Sequence, residues 1–179
     1  MSLRNTQDNF GSVAKFFHWF TALLVLLMLC VGASFHLFSL GSFFMPLLQI
    51  HKSLGMTLLV FMVLRLLWRW INPTPRFPDT MPAWEKFAAR LMHALLYITV
   101  IAMPIVGMIM TISAGNLLSF WGLLNVSIPW ISLSNTLSQT MHETHEILAW
   151  IITALIIIHT AAALKHHFWD KNNILKRMM

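Results

Sequence analysis

Nine histidines stand in a chain of 179 residues that carries only six acidic side chains and a single cysteine, Cys30. One thiol excludes a disulfide framework, a cysteine zinc cluster, a cysteine-ligated iron–sulfur centre and thioether-attached haem, so a metal here must be held by other donors. Four of the histidines have a spacing with meaning on a helix. His145 and His159 are fourteen residues apart, about four turns, which keeps them within about 40° of one face and about 21 Å apart along the axis. With His18 and His51 opening two other helices from opposite ends, His159 comes to the level of His18 and His145 to the level of His51. Paired neutral imidazoles, with no thiolate and with no carboxylate close to His18, His51 or His159 in sequence, suit axial ligation of haem in a gap between helices. Zinc would gather four ligands in one place. The expectation is two haem b groups, one on His18 with His159 and one on His51 with His145.

The fourteen-residue step recurs. Gly32 follows His18 by fourteen, Gly107 follows His93, and Arg65 follows His51, so each is set at the level of the other pair. Glycine at Gly32, Gly107 and Gly55 removes a side chain where a macrocycle must approach a helix closely, while Arg65 and Arg69 either neutralise its carboxylates or snorkel to the membrane edge. His142, seventeen residues before His159, is turned about 100° away and so is read as facing the interface. His36 shares a face with His18 but lies about 27 Å along the helix, above the cofactor. His93 and His166 remain open between a haem carboxylate, a quinone headgroup and plain packing. With Lys15 and Arg69 they make up the quinone candidates.

Helices long enough to carry ligands at two depths follow from composition. Hydrophobic residues are 58% of the chain and charged residues 10%, more apolar surface than one soluble core of this length can hide. The expectation is an integral membrane protein forming one domain over 1–179, an all-α four-helix transmembrane bundle running up-down-up-down. Its spans are about 16–38, 47–70, 88–112 and 143–166, each near the 20 residues that cross a bilayer. The first is too long, and lacks the cleavage pattern, for a signal peptide. Four prolines between residues 71 and 82 make a loop, and Pro104 should bend the third helix. The uncharged segment 113–139 reads as an interfacial loop, closed by a capping-box spacing, Thr140 to Glu143.

Eleven of the twelve lysines and arginines flank the ends that share a side with both termini, and Lys52 alone flanks the opposite loops. By the positive-inside rule both termini are cytoplasmic. The formal charge of +6 then belongs to topology and anionic membrane lipid, with no nucleic-acid partner.

Several stretches carry a resemblance: Lys15-Phe-Phe-His18-Trp19, His51-Lys-Ser-Leu-Gly55, Arg65-Leu-Leu-Trp-Arg69 before Asn72-Pro-Thr-Pro75, His93-Ala-Leu-Leu-Tyr97, Met103-Pro-Ile-Val-Gly107, His142-Glu-Thr-His145, and the close from His159 through Lys165-His166-His167-Phe-Trp. Over almost its whole length the chain resembles the bacterial cytochrome b561 family, small dihaem b-type cytochromes of the inner membrane. The resemblance implies haem ligands at His18, His51, His145 and His159. The family's histidine-glutamate-threonine wording matches His142, but its spacing to the next ligand matches His145. It also implies an oxidoreductase of the respiratory chain coupled to ubiquinone, with members known as superoxide oxidases that take an electron from superoxide. The alternative expectation is an electron-relay subunit anchoring a dehydrogenase, hydrogenase or periplasmic redox partner, as in related cytochrome b subunits. A transporter or purely structural bundle would require the histidine pattern to be coincidence.

Overall fold

The computed structural model describes residues 2–179. Its order is α1 (Ser12–Leu37), a 3-10 turn at Gly41–Phe43, α2 (Phe44–Ile71), α3 (Ala83–Ser113), a small hairpin of β1 (Leu118–Phe120) and β2 (Leu124–Val126), and α4 (Asn135–Phe168). All four α-helices are long and apolar enough to cross a membrane, and the chain is mostly helical, as composition requires.

The helices overrun the sequence-derived spans, most of all α4. It starts at Asn135, not at Glu143, because Ser134 is the true N-cap: its hydroxyl accepts from Leu137 N–H at 3.2 Å. Thr140, read as opening a capping box, is inside the helix, where its hydroxyl donates to Thr136 O at 3.0 Å. The same device recurs on membrane-spanning helices, with Thr21, Thr99, Thr111 and Thr153 each donating to the carbonyl four residues earlier. A hydroxyl satisfied this way costs little in an apolar surround. Helix α3 runs on through Pro104.

The loop 113–139 also differs from expectation, since it contains the antiparallel β1–β2 hairpin, pairing Leu118 with Val126 and Phe120 with Leu124. Gly122 in the turn has φ +73, a backbone region that only glycine enters freely. The hairpin is pinned to α2: Trp121 N–H donates to Ser53 Oγ at 3.1 Å and the Trp121 indole to Thr57 Oγ1 at 3.2 Å. Ser134 N–H donates to Ser113 O at 2.9 Å, joining the ends of α3 and α4.

Helix α1 packs on α2, α2 on α3 and α3 on α4, around a core of Leu24, Val25, Leu58, Met62, Val100 and Ile152. Helices α1 and α4 are not among the closely packed pairs. Outward faces stay apolar, with Leu23, Leu26, Val60, Ile98, Ile157 and Ile158 all exposed, the pattern of a lipid-facing surface. Both termini gather at one end, here the basic end: Arg76 N–H donates to Gln7 O, the Trp19 indole to Met178 O, and the Arg177 guanidinium to Arg76 O. The hairpin marks the far end.

Candidate functional site

At the far end, His51 of α2 and His145 of α4 face one another with ring centroids 6.2 Å apart and planes at 65°. The Nδ1 atoms of both are buried and have no hydrogen-bond partner among the described residues, an arrangement that is costly unless another group completes it. Two glycines of the fourteen-residue series stand against this pair. A Cβ built on Gly32 would lie 3.8 Å from His51 Cε1, and one on Gly107 only 3.2 Å from His145 Cε1 and 3.4 Å from its Nδ1. The nearest side chain to a Cβ at Gly55 is Met28 of α1, at 3.5 Å. His145, not His142, is the ring that meets His51.

Fourteen residues along α4, His159 faces His18 of α1, with centroids 6.4 Å apart and planes at 62°. A third ring joins them. His93 of α3 lies 5.5 Å from His159, and its Nδ1 donates to Ala89 O at 2.7 Å, which fixes the tautomer and leaves Nε2 bare. Arg65 points into the bundle and does not snorkel: one amino group donates to His18 Nδ1 at 2.8 Å and the other to Thr21 Oγ1 at 2.9 Å. Arg65 and Arg69 also lie over the Tyr97 ring, 5.3 and 5.6 Å from its centroid. Sequence reasoning missed Thr21 and Tyr97, although Tyr97 is the sole tyrosine and stands one turn after His93.

Both pairs fit an iron held between two imidazoles. Metal–nitrogen bonds of about 2 Å, with about 1 Å from each nitrogen to its ring centre, set the centroids about 6 Å apart.

The remaining candidates are placed as follows. Lys15 is half-buried near the start of α1. His166 is drawn away from the ring cluster: its Nδ1 meets Asp170 Oδ2 at 2.7 Å and Glu85 Oε2 at 4.0 Å. Lys165 bonds the same two carboxylates at 2.7 and 2.9 Å, a cluster the sequence did not announce. Asp170 lies beyond the helix end, and its hydrogen bond from Lys165, aided by His166, holds its carboxyl below the usual carboxylate range. His36 and His142 both turn to Glu146 at the far-end rim.

Comparison with known proteins matches residues 9–179 to a family model described as prokaryotic cytochrome b561. The chain is 32% identical over 186 residues to Cytochrome b561 homolog 2 of Escherichia coli (strain K12), covering 100% of this chain and 95% of that one. It is 33% identical over 173 residues to Cytochrome b561 homolog 1 of the same organism, covering 96% and 97%. It is 32% identical over 165 residues, 90% of each chain, to a protein of Yersinia pestis named Probable superoxide oxidase CybB.

Proposed function

This chain belongs to the prokaryotic cytochrome b561 family, a family of membrane b-type cytochromes of electron transfer, and we propose that it is a dihaem wire of the bacterial inner membrane that delivers electrons to ubiquinone, with superoxide as donor. Membership implies haem b. The reading of two haems with bis-histidine ligation is carried by one observation: two imidazole pairs, 6.4 and 6.2 Å between ring centroids, at levels fourteen residues apart on α4.

In this reading His18 and His159 hold the basic-end group, and His51 and His145 the far-end group. Haem b, when bound, supplies one-electron transfer. Two protein ligands at each iron leave no open coordination position, which disfavours oxygen, peroxide or carbon monoxide as iron ligands. The chain's own task is placement and tuning. His18 Nδ1 accepts a hydrogen bond from Arg65, so the ring's proton sits on Nε2. Holding haem through Nε2 would need the other tautomer of His18, with the proton on Nδ1. Arg65, braced by Thr21 and Tyr97, and Arg69 would supply positive charge for the carboxylates of the bound group.

Two superoxide anions give up two electrons and leave as dioxygen, and ubiquinone takes up those electrons with two protons. The quinone headgroup needs donors at the basic end, where His93, Lys15, Arg69 and His166 are the candidates. Superoxide as donor is supported by the name of the Yersinia pestis relative. A second reading, relay from a redox partner protein, is favoured by the far-end surface, where Glu143 and Glu146 outnumber Lys52 and offer an anion little attraction. A superoxide pulse onto the haem-loaded protein with a ubiquinone analogue separates them. Rapid haem reduction followed by quinone reduction is expected, and a failure to reduce haem would leave only the relay.

A further inference from the structure

His36 and His142 take no part in the two deep pairs, yet they converge on one atom. His36, in the last turn of α1, has its Nε2 3.4 Å from Glu146 Oε1. His142 precedes Glu146 by one turn of α4, and its Nδ1 is 4.0 Å from the same oxygen. We propose that His36, His142 and Glu146 form a site for a borderline divalent metal ion, of which Zn²⁺ is the type, clasping α1 to α4 at the far-end rim.

The donor set selects the ion. Two imidazoles and one carboxylate suit zinc-like ions, whereas Mg²⁺ and Ca²⁺ want oxygen donors and Cu(I) wants sulfur. Three protein ligands with water in a fourth position is an ordinary open zinc arrangement.

Two of the three ligand separations are at or near what the ion needs. In a tetrahedral site with bonds of about 2.1 Å, neighbouring ligand atoms are about 3.4 Å apart. His36 and Glu146 already stand at that separation, and His142 is about half an ångström wider of Glu146; the two imidazoles lie more than 4.8 Å from each other and must swing together to close the site. Their side chains are 66%, 58% and 44% exposed for His36, His142 and Glu146, so they adjust freely and an ion reaches them from water. No side-chain hydrogen bond to another group holds any of the three among the described residues.

The contrast with the basic-end cluster of Glu85, His166 and Asp170 sharpens the choice. Those ligand atoms lie within 4.8 Å of one another, but the Lys165 ammonium already bonds both carboxylates. An incoming ion there would have to displace a cation. At the rim, no lysine or arginine contacts Glu146 among the described residues. Because α1 and α4 are not otherwise closely packed, an ion joining them would tie the two helices together at the rim.

The test is a Zn²⁺ titration of the haem-loaded full chain in detergent by isothermal calorimetry, with thermal unfolding followed in parallel. Wild type should bind one ion per chain and unfold at a higher temperature with Zn²⁺ present. His36→Ala and His142→Ala, on different helices, should each weaken binding by at least about tenfold and abolish the thermal shift. Asp170→Asn should bind as wild type does. Haem content checks that each variant is folded, and the isosteric Glu146→Gln takes over the test from any alanine variant that loses haem. Unchanged affinity in either histidine variant, or loss of binding in Asp170→Asn, would overturn the site.

Discussion

Gly32→Ala and Gly107→Ala are the same change at the same level of the bundle, and the structure separates their outcomes. Each removes a helical glycine, which by propensity favours the helix by roughly 0.5–1 kcal/mol. At Gly32 the new methyl meets His51 Cε1 at 3.8 Å, an ordinary contact, so the gain stands and thermal stability rises slightly. At Gly107 it meets His145 at 3.2 and 3.4 Å, so the ring must retreat by a few tenths of an ångström. Overpacking of this kind costs about 1–3 kcal/mol, which leaves a net loss of up to about 2 kcal/mol concentrated on one ligand. That is a weakening of the far-end site of up to about thirtyfold, since about 1.4 kcal/mol is tenfold. The assay is a pyridine haemochrome count on both purified variants, with reduced-minus-oxidised spectra and unfolding curves. Gly32→Ala should keep the wild-type haem count and spectrum. Gly107→Ala should lose haem toward one per chain, or keep it with an altered spectrum and faster loss on heating. Identical behaviour of the two variants would refute the reasoning, because it would mean that the His145 ring is not tightly fixed opposite Gly107.

Other outcomes follow from the same geometry. His145→Ala should cost one haem while His142→Ala keeps both, as read by the haemochrome count; the reverse would move the far-end ligand. Arg65→Leu removes a positive charge from beside His18, so the midpoint potential of the basic-end haem should fall in a redox titration, and an unchanged potential would remove Arg65 from that site. Asp170 is held below its ordinary range by Lys165. Its stabilising contribution is therefore present above the unfolded value of about 3.9 and lost as pH falls through the lower folded value. Asp170→Asn should then unfold at a lower temperature than wild type near neutral pH and converge with it in strong acid; a constant difference across that range would contradict the assignment.

What the sequence made legible was periodic. The four spans follow from apolar run length, and the facing of His145 with His51 and of His159 with His18 follows from 3.6 residues per turn acting over fourteen residues. That Gly32 and Gly107 stand at the level of the far-end pair was readable for the same reason. Features that depend on how elements meet were not. The start of α4 was misplaced because two cap-like residues, Ser134 and Thr140, compete, and only packing against α3 through Ser113 decides between them. The hairpin was hidden because its three-residue strands are too short for a clear alternation. His166 was left open: its short contact is with Asp170, four residues on and past the helix end, while Glu85 joins that cluster, through Lys165 80 positions away, only because α3 begins beside the end of α4. Spacing alone could not say which side chain neighbours Gly55; the approach of α1 puts Met28 there.

The central claim is that two imidazole couples at two depths each grip a porphyrin iron. A haemochrome stoichiometry on the purified chain, read together with the low-temperature EPR of the oxidised protein and the response of the reduced protein to carbon monoxide, tests it most directly. Two haem b per chain, both low-spin and both indifferent to carbon monoxide, is the expected result. One haem per chain, or a high-spin iron that takes up carbon monoxide in protein that has kept its fold, would contradict it.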